Sequence, residues 1–540
     1  TTSRMVSFKL AATLLATAGS ASASLRSRRL SYQAIAGYEP GSMVTDHNAL
    51  DLDQAAMEAQ LALGTADSFT AARNLYTSGA HSRSLATITL SSPLTSPLNA
   101  DTVAVGKNTD GSEVDGNIYK DYPAGTSEIQ FQYKVNEIQA TYVGCQVGAN
   151  PSPVTEGCLA ANGTIVVDGQ TFSYTYDILS NNVNGRTLQG FSLQAEEKMY
   201  RCENCPYLTY DKFYKYYGVF DYANQWILAA FDGRSTSFAN GNADFSMYTE
   251  VGRAEAIKKG SAYMSVWMYT IRELEDAIDD CKSDCTSANC NDEPVIAWDE
   301  GAAFYTGSLE GTDGSGQGVF PYSLADKRCE NFKTCGDLAN EVTGTSHVNM
   351  QILAQFVDGK RNLLAGKCDA VRKNKERIEQ LMAVPLIQGT LRYAYVTDLG
   401  NDPSEKPEAE GATFAAAVLP LVNACNEEAA DTIYKNMKVG QKGSANFVTV
   451  KNAFESVYAC MNVRCEDVGG LYDATTGGYM KHAQPCSSSK SSDNKVGLAV
   501  GLSIGGVALI AIIVLLSRRY CGSHSNITTT DVNGGDKMVA

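Results

Sequence analysis

The sequence predicts an α+β protein: a mainly helical ectodomain with a small β-rich subdomain near its N-terminus, plus one C-terminal transmembrane helix. Three observations carry this prediction. Residues 496–516 form an uncharged apolar run, residues 85–177 are rich in Thr, Val, Ser and Gly with period-two alternation, and helical periodicity dominates on both sides of that stretch.

The elements follow in chain order. Lys9, the apolar run 10–18 and Ala21-Ser22-Ala23 form the charged, hydrophobic and small-residue parts of a secretory signal peptide over 5–23. Residues 30–84 read as an N-terminal helical segment, with Ala55, Ala56 and Ala59 in its Ala-rich turns. The β-rich subdomain is assigned to 85–193. Within it Ile129-Gln130-Phe131-Gln132-Tyr133 alternates, and Thr164-Ile165-Val166-Val167 runs into Asp168-Gly169, a hairpin signal. A helical domain is assigned to 194–465, with long helices expected over 249–281, 297–309, 348–364, 369–381 and 412–437.

Residues 466–495, rich in Ser, Gly and Lys, read as a stalk. The span 496–516 follows, and at about 1.5 Å per residue it crosses a hydrocarbon core of ~30 Å. Arg518 and Arg519 flank it, so residues 517–540 are placed in the cytoplasm and the topology is type I at the plasma membrane. Gly497, Gly501 and Gly505 fall four apart on one face, a spacing that would let two such helices pair as a homodimer.

Asp299-Glu300-Gly301-Ala302-Ala303-Phe304 matches Ala409-Glu410-Gly411-Ala412-Thr413-Phe414 in register, and each follows a long predicted helix. The match raises the reading of two duplicated helical units with Glu300 and Glu410 in equivalent places.

Of 15 cysteines, 14 precede the span and Cys521 follows it. An even number in an oxidising compartment predicts up to seven disulfides, including a structural pairing of the Cys202–Cys205 motif rather than a redox or zinc role. Asn162-Gly163-Thr164 is a glycosylation sequon. The net charge of −16 argues against nucleic-acid binding, which needs clustered Lys and Arg.

Enzyme motifs are missing: there is no His-Glu-x-x-His, no phosphate-loop lysine, and no nucleophile elbow outside the membrane span. The chain is therefore read as a binding protein. Oxygen donors are abundant instead, with 28 tyrosines against five histidines. Tyr207, Tyr210, Asp211, Tyr214, Tyr216, Tyr217, Asp221 and Tyr222 form one cluster; Trp298, Asp299, Glu300, Tyr305 and Glu310 form another. Carboxylate and phenolate oxygens suit a hard trivalent cation. The plainer reading is that the tyrosines pack at seams and the acids offset a helix dipole.

Both clusters lie in stretches that resemble a known family. Asn184-Gly185-Arg186-Thr187-Leu188-Gln189-Gly190-Phe191, Tyr210-Asp211-Lys212-Phe213, Tyr216-Tyr217-Gly218, Asp221-Tyr222-Ala223-Asn224-Gln225-Trp226, residues 298–311 and Leu324-Ala325-Asp326-Lys327-Arg328-Cys329 resemble the low-iron-inducible iron-assimilation proteins of algae, whose membrane-anchored members are the phytotransferrins. The resemblance spans about residues 145–465. It implies a cell-surface protein of iron starvation that captures ferric iron with carbonate as companion anion and is internalised by endocytosis. On that reading Asp221, Tyr222, Asp299, Glu300 and Tyr305 are the candidate Fe³⁺ ligands and Arg328 the candidate anion-binding residue, with Tyr217, Glu310 and Glu410 in reserve. The alternative is a structural or adhesive disulfide-bonded surface glycoprotein.

Overall fold

In the computed structural model, the structure describes residues 32–42, 44–79, 81–82, 86–99, 102–107, 113–117, 121–134, 162–167, 169–175, 186–282, 293–441, 443 and 445–486. The expected signal peptide, membrane span and tail lie outside the described residues, as do Cys145, Cys158, Cys285, Cys290 and Cys521. Among the described residues no helix is long and apolar enough to cross a membrane.

Helices α1 (Leu50–Leu61) and α2 (Ala66–Ser78) open the described chain. Thr65 starts α2 with a reciprocal cap: Ser68 N–H donates to Thr65 Oγ1 at 3.2 Å, and Thr65 N–H to Ser68 Oγ at 3.0 Å. These helices are not a separate lobe. Leu50, Met57, Leu61, Phe69, Ala72 and Tyr76 are buried in the same apolar core as the later helices.

Six strands follow: β1 (Ala86–Leu90), β2 (Thr102–Lys107), β3 (Glu113–Asn117), β4 (Glu128–Lys134), β5 (Asn162–Val167) and β6 (Gln170–Thr175). They form one antiparallel sheet in the order β2-β3-β4-β1-β6-β5. Ile88 lies opposite Ile129 and Ile165 opposite Phe172, and all four are buried, so one face is sealed by the alternation visible in the sequence. Val167 pairs with Gln170, which leaves two residues for the predicted turn.

The rest is helical: α3 (Leu208–Tyr217), α4 (Tyr222–Asp232), α5 (Glu250–Gly260), α6 (Trp267–Lys282), α7 (Glu293–Thr306), α8 (Pro321–Phe332), α9 (His347–Leu364), α10 (Cys368–Thr397), α11 (Glu405–Asn423), α12 (Glu427–Met437) and α13 (Phe447–Met461). A π-helical turn, Ser261–Val266, joins α5 to α6. Thr249, Ser346, Asn426 and Asn446 each cap the helix that follows by accepting a backbone N–H. The helix expected over 369–381 extends to Thr397. Pro385 removes one internal hydrogen bond, but Leu381 to Leu391 are buried continuously, and packing outweighs the lost bond. The helix expected over 412–437 is two, divided where the Asn426 side chain caps Ala429 N–H at 3.1 Å.

The expected stalk needs a correction over its first part. Residues 465–486 fold against the helices through a short hairpin, Tyr472–Asp473 with Gly478–Tyr479. Asp467, 1% exposed, is clamped by Arg464 at 2.6 Å and Arg377 at 3.1 Å, and a Cys465–Cys486 disulfide closes the segment. Residues 487–495 lie outside the described residues. The other disulfides among the described residues are Cys202–Cys205, Cys281–Cys368, Cys329–Cys335 and Cys425–Cys460.

Candidate functional site

The five residues expected as ligands each have partners of their own. Asp221 accepts from the side chains of Asn224 at 2.9 Å and Gln225 at 2.7 Å, one turn along its own helix. Tyr222 is buried, its hydroxyl 3.4 Å from the Met264 carbonyl and its ring stacked on Tyr217. Glu300 meets His47 Nε2 at 2.8 Å, and Tyr305 donates to Asn349 Oδ1 at 2.5 Å. Asp299 is fully buried and accepts four bonds from one segment: Tyr38 Oη at 2.5 Å, and Gly41 N–H, Ser42 N–H and Ser42 Oγ at 2.7, 2.8 and 2.7 Å. That pattern fits an anchor for residues 38–42. Among the described residues no three His, Cys, Asp or Glu side chains are grouped to hold a metal ion.

Arg328 is in a different situation. It lies on α8, 8% exposed, and its Nε and Nη1 have no hydrogen-bond partner. Burial pulls its pKa down from the usual arginine value, with the Tyr393 oxygen opposing that shift and the Arg392 charge adding to it. Its remaining donor reaches the Tyr393 hydroxyl, whose ring lies 5.9 Å from the Arg328 guanidinium and 5.5 Å from that of Arg392. Arg392 Nε is likewise buried without a partner. Tyr393 bonds in turn to Glu410 on α11, and Lys259 on α5 meets Glu410 at 3.3 Å.

Phe414, one turn beyond Glu410, stacks with the rings of Tyr263 at 5.3 Å and Tyr393 at 5.9 Å, and both phenols feel the Glu410 charge. Burial raises the pKa of Tyr393, and the Glu410 charge adds to it. Burial also raises Tyr263, against the opposing charge of Lys259. For Lys259 itself burial acts downward, but Glu255 and Glu410 outweigh it and the net shift is upward.

The first helical pair repeats several of these details. Thr270-Ile271-Arg272-Glu273 on α6 corresponds to Thr390-Leu391-Arg392-Tyr393 on α10, and each threonine bonds back to the carbonyl four residues earlier. A Cβ added at Gly301 would lie 3.5 Å from Glu273 Cβ, and one added at Gly411 would lie 2.8 Å from Tyr393 Cβ. The chemistry differs. In the first pair Arg272 is neutralised by Glu273 at 2.5 Å and Asp276 at 3.0 Å. In the second, tyrosine replaces Glu273; Nε is left without a partner on Arg392 as it is on Arg272, and Arg328 adds its Nε and Nη1.

The sequence points to Arg328 and Glu410 but not to Tyr263 and Tyr393. The second Thr-x-Arg match was the signal for Tyr393; Tyr263 had no comparable local signal. No family model matches the chain, and neither a curated protein nor a solved structure is similar to it.

Proposed function

We propose that the protein captures ferric iron at the cell surface together with carbonate, and that the two helical pairs are diverged copies of which the second holds the site. The buried, under-partnered Arg328 beside Tyr263, Tyr393 and Glu410 supports this reading. A guanidinium with free donors in an apolar setting is unfavourable alone and well matched to a planar oxyanion. The two phenols and the carboxylate supply the oxygen chemistry a hard trivalent ion prefers. This ligand set takes the place of Asp221, Tyr222, Asp299, Glu300 and Tyr305, while Arg328 keeps the anion role. The algal resemblance, the secretory signal and the membrane span all bear on the same reading, in which the tether carries bound iron inward by endocytosis.

Loading requires both phenols to lose protons, so binding releases protons and weakens as pH falls. In an acidified vesicle, protonation of the carbonate and of the phenolates would act in the same direction.

The test is ferric titration of the purified full chain with and without bicarbonate. The expected result is a visible phenolate-to-iron charge-transfer band that needs the anion. Iron binding indifferent to bicarbonate would overturn the proposal. A chain that binds no iron, and whose E410Q variant supports normal surface adhesion and iron uptake, would favour the structural glycoprotein.

A further inference from the structure

A second group of oxygens lies under the glycine-rich loop that follows α7. Glu310 ends the short turn Ser308–Glu310 and is 2% exposed; Gly318 N–H donates to its carboxylate, while its Oε1 has no hydrogen-bond partner. No cationic side chain forms an ion pair with Glu310 or with Asp326 among the described residues. Asp326 lies one turn after Tyr322 on α8. Its Oδ1 is held by Ser346 N–H and Asn349 Nδ2, both at 2.7 Å, and the same Asn349 meets the Tyr305 hydroxyl.

The loop itself is shaped around these oxygens. Gly316 N–H donates to the Glu310 carbonyl at 3.0 Å and Gln317 N–H to the Leu309 carbonyl at 3.1 Å, which folds the loop back over the turn. A Cβ at Gly318 would sit 2.0 Å from Glu310 Oε1, and one at Gly314 would sit 2.4 Å from the Tyr322 hydroxyl. The glycines thus keep open the space beside two of the oxygens. Residues 36 and 37 pin the outer side, with Ala36 N–H donating to Gly311 O at 2.9 Å and Gly37 N–H to Thr312 O at 2.7 Å.

We infer that Glu310, Asp326 and Tyr322 form a second cation site, separate from the Arg328 site, for a hard oxygen-seeking metal ion held beneath the glycine loop. Two carboxylates and a phenol provide one or two negative charges, opposed by the nearby Lys327 charge but ion-paired to no cationic side chain among the described residues, and such oxygens are the donor set a hard ion takes. Burial, followed by the Asp326 charge, pushes the Glu310 pKa up to about 7, so without a metal ion this carboxyl tends to keep a proton. Asn349 acts as a positioning residue for both Asp326 and Tyr305.

Terbium is a suitable probe, being a hard trivalent ion whose luminescence is excited by a nearby tyrosine. The full chain carrying Tyr263→Phe with Tyr393→Phe, which removes the phenols of the Arg328 site, is titrated with Tb³⁺ by itself and with E310Q or G318A added, with circular dichroism to check that each is folded. At least a tenfold loss of Tb³⁺ affinity is expected when E310Q or G318A is added to that chain. Competition then identifies the natural ion: displacement by Ca²⁺ marks a divalent site and displacement by Fe³⁺ alone a trivalent one. Folded E310Q and G318A that bind Tb³⁺ like the parent chain would overturn the inference. Because the charge-transfer band reads the Arg328 site, failure there leaves this outcome legible on its own.

Discussion

Asp299, one of the residues expected to bind iron, is predicted to act on folding instead. Its carboxylate accepts four bonds of 2.5–2.8 Å from Tyr38, Gly41 and Ser42, in complete burial. In D299A all four donors lose their acceptor. At a net value of about 1 kcal/mol per bond, and with buried N–H and O–H groups left unsatisfied, the loss approaches 5 kcal/mol or more. Part is returned, because the carboxylate is itself costly to bury: desolvation raises its pKa despite the Tyr38 and Ser42 bonds. A net destabilisation on the order of 3–4 kcal/mol is expected. D299N should lose less, since one amide oxygen still accepts while its NH₂ faces donors.

The effect should be local first. Residues 36 and 37 bond to the loop at 311–312, so hydrogen exchange in both segments should accelerate together in D299A. Urea unfolding gives the global figure, and ferric titration of the folded D299N chain gives the functional one. A loss below 1 kcal/mol with unchanged exchange would refute the anchoring role. Disappearance of the ferric band in a folded D299N would return Asp299 to the ligand set.

Three further outcomes follow from particular contacts. A Cβ at Gly359 would fall 2.0 Å from the Trp298 ring, which is held by its N–H bond to the Phe356 carbonyl at 2.9 Å, so G359A should cost about 1–3 kcal/mol or more, read by denaturant unfolding; a neutral variant would contradict the packing. Replacing Cys281 and Cys368 by serine opens a link across 87 positions and should cost about 4.6 kcal/mol in the chain-entropy account, with a loss under 1 kcal/mol as the contrary result. The folded Glu310 pKa of about 7, against an ordinary 4.5, means the folded state binds the proton more tightly than the unfolded one. Its contribution to stability is therefore full below about 4.5 and declines as pH rises through about 7. The metal-free E310Q chain should show a flatter stability profile across that window, and an unchanged profile would contradict the burial of this group.

Much of the architecture was readable because it rests on local patterns. The alternation before Asp168-Gly169 fixes which face of β5 and β6 is buried, and the helical period marks α5, α6 and α9. The errors come from forces a local pattern does not carry. The helix expected to close at Leu381 runs on to Thr397, because the buried surface on both sides of Pro385 holds α10 together. The segment after Cys465 reads as a stalk from its composition, but a disulfide and two arginines on Asp467 fold it back.

The candidate site was legible to the same degree. Glu410 stood out through the repeated Glu-Gly-Ala motif, and Arg328 through a family-like stretch. Tyr263 and Tyr393 lie 130 positions apart by sequence number on different helical elements. Their shared stacking on Phe414 depends on tertiary packing alone. Asp299 and Tyr305 stand out by residue type alone, because acids and phenols that satisfy buried donors are the same types that would bind a metal.

The most direct test compares the two ligand sets in one titration. Ferric iron and bicarbonate are added to the full chain carrying Tyr263→Phe with Tyr393→Phe, and separately to one carrying Asp221→Asn with Glu300→Gln and Tyr305→Phe. The account predicts that the charge-transfer band is lost in the first and kept in the second. A band that survives the loss of both phenols and disappears with the other three residues would contradict it.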